Sequence, residues 1–349
     1  AMARALDDRS RLVQVLTRMG QVYRVTADYD RAMAVGQQAL ELATGLGDRT
    51  VQGGAAYFLG QTYKASGDFG RAVELLRWSV VAADHASTEP ITERIESRAR
   101  LARTLGELGA FPEGRRYGEE ALRLATRAGR GLTPIIAHGS LGLLYLIQGD
   151  LAHAIPVLEQ GLALCRAAGA RSWLQRIMAH LGAAYVLQGH LVEGRALLEE
   201  GIGDSRRTGE LESQASRVVW LSDVCRLEGR GEEARQYAHQ ALDLARQQKA
   251  RGNEAHALHQ LGTVQAHANP PDAAPADAHY QQALALAEEL GMRPLQAHCH
   301  RGLGLLYAAT SQRESAQAEL STAMEMYRAM DMTFWLPETE AALAEVQAR

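Results

Sequence analysis

The sequence predicts an all-α solenoid of about eight helical hairpins, with a capping helix at its C-terminal end. A short motif, Leu-Gly-x-x-Tyr, recurs along the chain, intact as at Leu59 and Leu141 or in degenerate form. Its leading residue returns every 40 to 42 residues, at positions 19, 59, 101, 141, 181, 221, 261 and 303. Only 5% of the residues are aromatic while Ala and Leu abound, which favours helices over strands. A fixed period of this length indicates stacked repeats.

Within each repeat, the pattern predicts a first helix, a tight turn, a second helix and a longer turn. The dipeptides Gly67-Asp68 and Gly149-Asp150 mark the tight turn, where a left-handed glycine ends one helix and a polar residue starts the next. A small residue follows five positions after that glycine and allows the two helices to approach closely, as at Ala72 and Ala154. The repeats are predicted to begin near residues 10, 50, 92, 132, 172, 212, 252 and 294, and the capping helix to span 335–348, in a single domain of residues 1–349.

Composition and charge exclude several classes of protein. The net charge of −4 provides no basic stripe for nucleic acid, and no apolar stretch has the length of a membrane span. Three scattered cysteines without a CxxC spacing are typical of a reducing cytoplasm, where we expect the protein to be located. Arginine supplies nearly all of the positive charge, which indicates a bacterial source with a GC-rich genome.

Motifs for catalysis are missing from the sequence. It contains no GxxxxGK[ST] phosphate-binding loop, no HExxH and no GxSxG. The segment Gly229-x-Gly231-x-x-Ala234 imitates a dinucleotide fingerprint, but no strand precedes it and it coincides with a repeat turn. Adjacent acids at Glu119 and Glu199 fit a solvated outer helix face better than an acid/base pair. We therefore expect a protein that is not an enzyme, with no cofactor and no metal.

The repeated order Leu-Gly-x-x-Tyr, Gly-Asp, Ala and Ala-Leu resembles the tetratricopeptide repeat across about residues 10–330. The resemblance implies a right-handed superhelix whose first helices line the concave surface. The long period and the C-terminal segment 290–343 also resemble the repeat regions of bacterial adenylate or guanylate cyclases with a STAND or AAA-like ATPase, and of MalT-like regulators. In those proteins the catalytic modules lie N-terminal to the repeats, and the opening letters AMAR resemble a cloning remnant. The resemblance therefore implies attached N-terminal domains.

The resemblance also assigns groove positions, at −5, −2, +2, +5 and +6 from each leading residue, which share one helical face. The first three repeats supply a polar zone that includes Gln21, Arg24, Tyr57, Gln61, Lys64 and Arg103, with Glu96 and Glu107 beside them. The middle repeats supply an aliphatic belt beside Arg176, namely Ile136, Leu143, Leu146, Ile147, Val186 and Leu187. The last three repeats supply Asp223, Arg226, His256, His259, His267, His298 and Arg301.

The belt is expected to meet solvent, and an exposed apolar patch of this size typically marks a binding site. The leading hypothesis is a protein or peptide ligand held in the groove, with Arg24, Lys64 and Arg226 orienting its polar groups and the pitch of the superhelix changing on binding. The chaperone-binding clamp of the family is missing, since Gln21 and Gln61 occupy its asparagine positions. Alternatives are burial of the belt by tight closure, self-association as a homodimer or scaffold, and a sensor of a small molecule or signal peptide.

The triplet His298-Cys299-His300 imitates a metal site. The motif that starts at Leu303 places His298 in the groove and Cys299 at a packing position. His300 lies about 200° around the helix from His298, so the two cannot share one metal. His298 could instead join His256, His259 and His267 in a pH-sensitive patch, and a metal-binding patch is the alternative that the sequence leaves open.

Overall fold

The computed structural model describes residues 8–85, 91–129, 131–208 and 214–348. These residues form sixteen helices in eight hairpins, then a 3-10 turn and a final helix, arranged as a right-handed α-solenoid. The all-α solenoid predicted from the sequence is confirmed. The first seven residues, which contain the supposed cloning remnant, and the predicted start of the sixth repeat near 212 lie outside the described residues.

The first helices of the eight hairpins line the concave side of the array and carry odd numbers. They are α1 (Arg9–Val25), α3 (Arg49–Ser66), α5 (Ile91–Glu107), α7 (Thr133–Gln148), α9 (Arg171–Leu187), α11 (Gln214–Leu227), α13 (Arg251–Ala266) and α15 (Arg293–Ala309). The second helices are α2 (Tyr29–Leu46), α4 (Phe69–His85), α6 (Phe111–Ala128), α8 (Leu151–Ala168), α10 (Leu191–Thr208), α12 (Gly231–Gln247), α14 (Ala273–Glu289) and α16 (Arg313–Ala329). The 3-10 turn Thr333–Trp335 leads into α17 (Leu336–Ala348), which packs on α16.

Local sequence explains where the helices end and begin. Gly149 follows α7 with a φ of +80°, a left-handed conformation that glycine adopts without strain. The amide of Asp150 then donates to the carbonyl oxygen of Tyr145, the last residue of the repeated motif, at 2.9 Å. The carboxylate of Asp150 in turn accepts from the amide of His153 and caps the start of α8. The Gly-Asp pair therefore ends one helix and starts the next.

The glycine of the repeated motif sets the distance between the two helices of a hairpin. A Cβ placed on Gly142 would lie 2.5 Å from Cγ of Leu158, and one placed on Gly60 would lie 3.0 Å from Cγ of Leu76. The small residue of the second helix is fully buried in the same interface, as Ala154 shows. Because both sides are small, the helices pack closely and bury the leading leucines of the motif.

The superhelix also closes on itself. The tight turn of the second hairpin, at Gly67, packs on Arg251 and Gly252 at the start of the seventh hairpin. The third turn, at Gly109, packs in the same way on Pro294 and Met330 of the eighth hairpin. In both contacts the two hairpins are five apart along the chain, so one superhelical turn packs directly on the next. The lumen is therefore enclosed by protein rather than open along one side.

We call the line of contact between successive superhelical turns, at Gly67 and Gly109, the seam. Further contacts extend it at both ends. The fourth turn, at Gly149, packs on Phe334 and Trp335, immediately before α17. Near the first turn, Lys249 forms an ion pair with Asp30, although both side chains are exposed and such pairs add little stability. Tight closure, which the sequence left as an alternative, is the arrangement that the structure shows.

Candidate functional site

The lumen contains a cavity where opposite walls of the superhelix face each other. Its volume is about 40 Å³, which is room for a few water molecules and not for a peptide. The second, third, sixth, seventh and eighth hairpins all contribute to its lining, which consists of Lys64, Ala65, Phe69, Arg103, Glu107, Ser216, Gly252, Asn253, His256 and Met292. Closure thus brings together groove residues that lie up to about 200 positions apart in the chain.

Glu107 is the carboxylate at the centre of this site. Its Oε1 lies 3.9 Å from Nζ of Lys64, and its Oε2 lies 3.9 Å from Nε2 of His256 on the opposite wall. Burial favours the neutral acid, but His256, Lys64 and Arg103 outweigh it and lower the pKa of Glu107 to about 2. The carboxylate is therefore ionised near neutral pH and sits in a positive potential.

His180, on α9, lies in the same positive potential. Burial is the main cause that lowers the pKa of His180 well below its usual value, and the nearby charges of Arg103, Arg176 and Lys64 lower it further. Glu107 opposes them and is outweighed. The imidazole is therefore neutral near pH 7, and its Nδ1 is buried without a hydrogen-bond partner.

A smaller second cavity adjoins the first. Gln61, Lys64, Leu76, Arg100, Arg103 and Thr104 line it. Arg100 also lies over the ring of Trp173, with 4.8 Å between its guanidinium carbon and the ring centroid. Taken together, the two linings contain three cations, Lys64, Arg100 and Arg103, and one carboxylate, that of Glu107.

Sequence reasoning missed His180 and Arg100. Both lie one position before the leading residue of their repeats, Leu181 and Leu101, and this offset was not among the assigned groove positions. At 100° per residue, offset −1 lies only about 20° from offset +6 on the helix surface. A slightly wider groove face would therefore have included both residues.

Other residues of the predicted polar zone have separate surroundings. The hydroxyl of Tyr57 donates to Oε2 of Glu96 at 2.8 Å, and burial raises the pKa of Tyr57. Arg24 is buried at 9% exposure, whereas Gln21 is exposed and lines neither cavity. The structure thus unites Gln61, Lys64, Arg103 and His256, and leaves Gln21 apart from them.

The predicted histidine zone is closed by aromatic packing. Trp335 packs edge-on against His298 with 4.6 Å between ring centroids, and Nδ1 of His298 lies 2.7 Å from the hydroxyl of Tyr327. Burial is the first cause that lowers the pKa of His259 to about 4, and burial likewise lowers that of His298. These two imidazoles are neutral near pH 7. They belong to a cluster of packed rings with Tyr327 and Trp335 at the C-terminal end of the lumen.

The charged members of this zone are neutralised locally. Nε of Arg226 donates to Asp223 at 2.9 Å, and a guanidinium nitrogen of Arg301 donates to Glu338 of α17 at 2.6 Å. Within the described ranges, no group of three His, Cys, Asp or Glu side chains is placed to hold a metal ion.

The expectation that the aliphatic belt meets solvent is wrong. Leu146 and Ile136 are 3% and 4% exposed, and Val186 is 3% exposed inside the hairpin interface of α9 with α10. Leu143, Ile147 and Leu187 are partly buried against a cluster that includes Tyr327, Met330 and Trp335. There are two physical reasons. Ile136 and Val186 pack within and between neighbouring hairpins. Leu146 shares a cluster with Tyr327 and Met330 of the C-terminal end, which closure of the superhelix brings against this stretch.

The histidine-cysteine-histidine triplet separates as the register of the repeat predicted. Cys299 is fully buried, and burial raises the pKa of its thiol. Nδ1 of His300 lies 2.6 Å from Oε2 of Glu319, on a different side of α15 from His298. The three residues therefore take part in packing and hydrogen bonding in three separate places.

In the described part of the chain, no helix combines the length and the apolar character that a bilayer crossing requires.

Comparison with known proteins agrees with this architecture. A tetratricopeptide repeat family profile matches residues 93–167, whereas a comparison with curated protein sequences finds no match. A solved Rap protein complexed with Competence and Sporulation Factor is similar, with a TM-score of 0.67 at 12% identity over 92% of this chain and 99% of that chain. The Rap conjugation gene regulator of the plasmid pLS20, in complex with the Phr* peptide, has a TM-score of 0.66 at 13% identity over 93% and 98% of the two chains.

A third solved structure, aspartyl phosphate phosphatase F from Bacillus subtilis, has a TM-score of 0.57 at 11% identity over 85% of this chain and 74% of that chain. At these identities the likeness concerns the fold alone. The family profile therefore identifies the third and fourth hairpins as tetratricopeptide repeats, and the same motif and hairpin architecture recur along the rest of the described chain.

Proposed function

We propose that this chain binds an acidic peptide segment inside its lumen and thereby regulates a signalling module attached to it. The observation that carries the proposal is the charge of the cavity linings. Lys64, Arg100 and Arg103 line them with one carboxylate, Glu107, and the potential that His180 experiences is positive. A low-dielectric lumen strengthens such a potential, so an anionic segment is the ligand whose charge it complements.

A peptide is the ligand class that suits the architecture. Arrays of stacked hairpins typically serve as binding scaffolds and use their concave surface for extended segments. Two proteins of similar fold were solved with a bound ligand, Competence and Sporulation Factor in one case and the Phr* peptide in the other. Both comparisons support a peptide-binding role here, and the acidic character of the peptide follows from this chain's own residues.

The lumen has to widen before a peptide can enter, because its cavity holds only about 40 Å³. The seam between superhelical turns is the place where it can open. Separation of Gly109 from Met330 and of Gly149 from Trp335 would release the C-terminal hairpins from the third and fourth. Ligand binding would then change the pitch of the superhelix, and that movement would reach an attached cyclase or ATPase module.

Fluorescence anisotropy with two labelled probes tests the proposal. The first is a flexible ten-residue peptide that alternates Glu and Leu, and the second replaces every Glu by Lys. We expect binding of the acidic probe, weaker in high salt, and no binding of the basic one. Arg103→Gln is expected to weaken binding by about tenfold, the effect of losing one charge-assisted contact of ~1.4 kcal/mol. Equal binding of both probes would refute the charge assignment.

A second pair of variants tests the opening of the seam. Trp335→Ala removes the ring that packs on Gly149 and His298, so it should favour the open form and strengthen binding of the acidic probe. Arg127→Gln, on the exposed side of α6, is the matched control and should leave binding unchanged. If Trp335→Ala weakens binding although the variant remains folded by circular dichroism, the lumen does not need to open.

A further inference from the structure

One face of the first helix carries an apolar stripe that nothing in the described structure covers. Val15, Met19 and Val22 are 46%, 43% and 63% exposed. They lie at i, i+4 and i+7, so they form one line along α1. The opposite side of the same helix is well packed, since Val13 and Leu16 are 2% and 5% exposed against α2 and α3. The exposure therefore concerns one face of α1 and not a loose helix.

The same three repeat positions are buried in every other hairpin. Relative to the leading residue they are offsets −4, 0 and +3, and in hairpins two to eight they are between 0% and 4% exposed. They are Ala55, Leu59, Thr62, Ser97, Leu101, Thr104, Ala137, Leu141, Leu144, Ile177, Leu181, Ala184, Arg217, Leu221, Val224, Ala257, Leu261, Val264, Cys299, Leu303 and Leu306. Exposure at these positions is therefore a property of the first hairpin.

The second helix of the preceding hairpin provides the cover. A Cβ placed on Gly118 of α6 would lie 2.8 Å from Cδ1 of Leu141 on α7. A Cβ placed on Gly161 of α8 would lie 3.0 Å from Cδ1 of Ile177 on α9. The covering helix thus presents small residues, and the apolar positions of the next hairpin pack directly on its backbone.

The two ends of the array differ in this respect. At the C-terminal end, Leu343 and Val346 of α17 pack on α16. The outer side of α17 carries Glu338, Glu340 and Glu345, all exposed, which is the polar face that a terminal cap requires. At the other end of the described chain, α1 presents the apolar stripe instead. Among the described residues, the array is therefore capped at its C-terminal end, whereas this face of α1 is uncovered at its N-terminal end.

We propose that the stripe of Val15, Met19 and Val22 is the docking face for one further helix of the same polypeptide, located N-terminal of Arg9. Its chemistry is that of this chain's own second helices, with glycine and alanine on the face toward α1. A second copy of the chain is a poorer occupant, because a stable dimer buries about 800 Å² on each partner and the stripe covers three side chains. The occupied stripe would join the array rigidly to whatever precedes it.

A fusion that supplies the missing helix tests the proposal. Residues 271–292, which contain α14 and its following turn, are placed directly before Arg9. The register is correct, because Arg9 precedes Met19 by the same ten residues by which Arg293 precedes Leu303. Amide hydrogen exchange in α1 is expected to slow by at least about tenfold relative to the unfused chain. The melting temperature should rise by several degrees.

Two variants distinguish docking from a general effect of the fusion. Met19→Gln with Val22→Gln should abolish the slow exchange in the fusion, while it leaves the melting temperature of the unfused chain within about one degree. Val192→Gln, a residue 78% exposed on α10, is the matched control and should change neither protein. Exchange in α1 that stays fast in the fusion would overturn the proposal.

The same measurements apply to a longer polypeptide in which the proposed helix precedes Arg9. There, the amides of α1 are expected to exchange as slowly as in the fusion, and fast exchange would contradict the proposal. Sedimentation identifies the other occupant. If the unfused chain forms a dimer that Met19→Gln with Val22→Gln dissociates, a second copy covers the stripe and the proposal is wrong.

Discussion

The side-chain nitrogen Nε2 of Gln148 donates a hydrogen bond to the backbone oxygen of Asp331, 3.2 Å away and 183 residues later in the chain. Gln148 is 3% exposed, at the tight turn of the fourth hairpin, and Asp331 lies in the turn that precedes α17. This bond joins two successive turns of the superhelix. Contacts of this kind decide that the lumen is closed.

The first prediction concerns the glycines of the tight turns. Gly149 and Gly189 have left-handed φ values of +80° and +89°, so alanine costs each about 1–2 kcal/mol in backbone strain. A Cβ on Gly149 would also lie 2.7 Å from Phe334 and Trp335, whereas one on Gly189 meets nothing within 4 Å. Gly149→Ala should therefore lower the free energy of unfolding by ~1–3 kcal/mol more than Gly189→Ala. Urea denaturation measures the difference, and equal losses would mean that the seam contributes no stability.

The second prediction concerns the buried belt. Leu146→Asp places an unpaired carboxylate in the cluster that holds Tyr327 and Met330, and should reduce the free energy of unfolding by ~3–5 kcal/mol. Val192→Asp introduces the same group at a position 78% exposed and should change stability by less than about 0.5 kcal/mol. Thermal melts followed by circular dichroism compare the two variants. A Leu146→Asp protein as stable as the Val192→Asp protein would indicate an open belt.

The third prediction concerns Glu107. Its pKa is lowered from 4.5 in the unfolded chain to about 2 in the folded protein, so ionisation stabilises the fold by up to about 3 kcal/mol. This stabilisation is fully present above pH 4.5 and is lost as the pH falls toward 2. Glu107→Gln should therefore be less stable than the wild type at pH 7, and should lose less stability between pH 4.5 and 2. Glu200→Gln, on the exposed side of α10, is the control, with a pH profile expected to match the wild type.

The fourth prediction concerns His259. Burial lowers its pKa from 6.5 to about 4, so between these values the unfolded chain binds a proton that the folded protein does not. Stability should therefore decrease as the pH falls from 6.5 to 4. His259→Phe keeps a ring against Tyr280 and removes this titration, so its stability should depend less on pH in that window. His239→Gln on the exposed side of α12 serves as the comparison, and an unchanged slope in His259→Phe would show that His259 is already solvated.

Much of the fold could be predicted because its rules are local. The leading leucines, the Gly-Asp turns and the small residues each act within one hairpin, and their spacing gave the register of Cys299 and His298 correctly. The candidate site was predicted in part. Lys64, Arg103 and His256 were placed on the concave face, but the meeting of Lys64 and His256 around Glu107 depends on hairpins that are far apart in sequence.

The turn glycines show most clearly what could not be predicted from the sequence. The sequence explains Gly109 and Gly189 alike, as left-handed residues that end a helix. The tertiary structure distinguishes them. A Cβ on Gly109 would lie 2.5 Å from Sδ of Met330, whereas a Cβ on Gly189 would have no atom within 4 Å. The burial of Leu146, which shares a cluster with Tyr327 and Met330, escaped prediction for the same reason.

By itself, the sequence determined the repeat unit, its register and the turns that separate the helices, because helical periodicity and turn chemistry operate over a few residues. Only the tertiary structure decided that the lumen is closed, that the belt is covered and that Glu107 lies between Lys64 and His256. The pitch of a solenoid is the sum of small rotations at each interface between hairpins. Small differences in these rotations accumulate over the five hairpins that separate Gly67 from Gly252. The contact between Gly67 and Gly252 therefore depends on all of these interfaces and is not encoded in any single repeat.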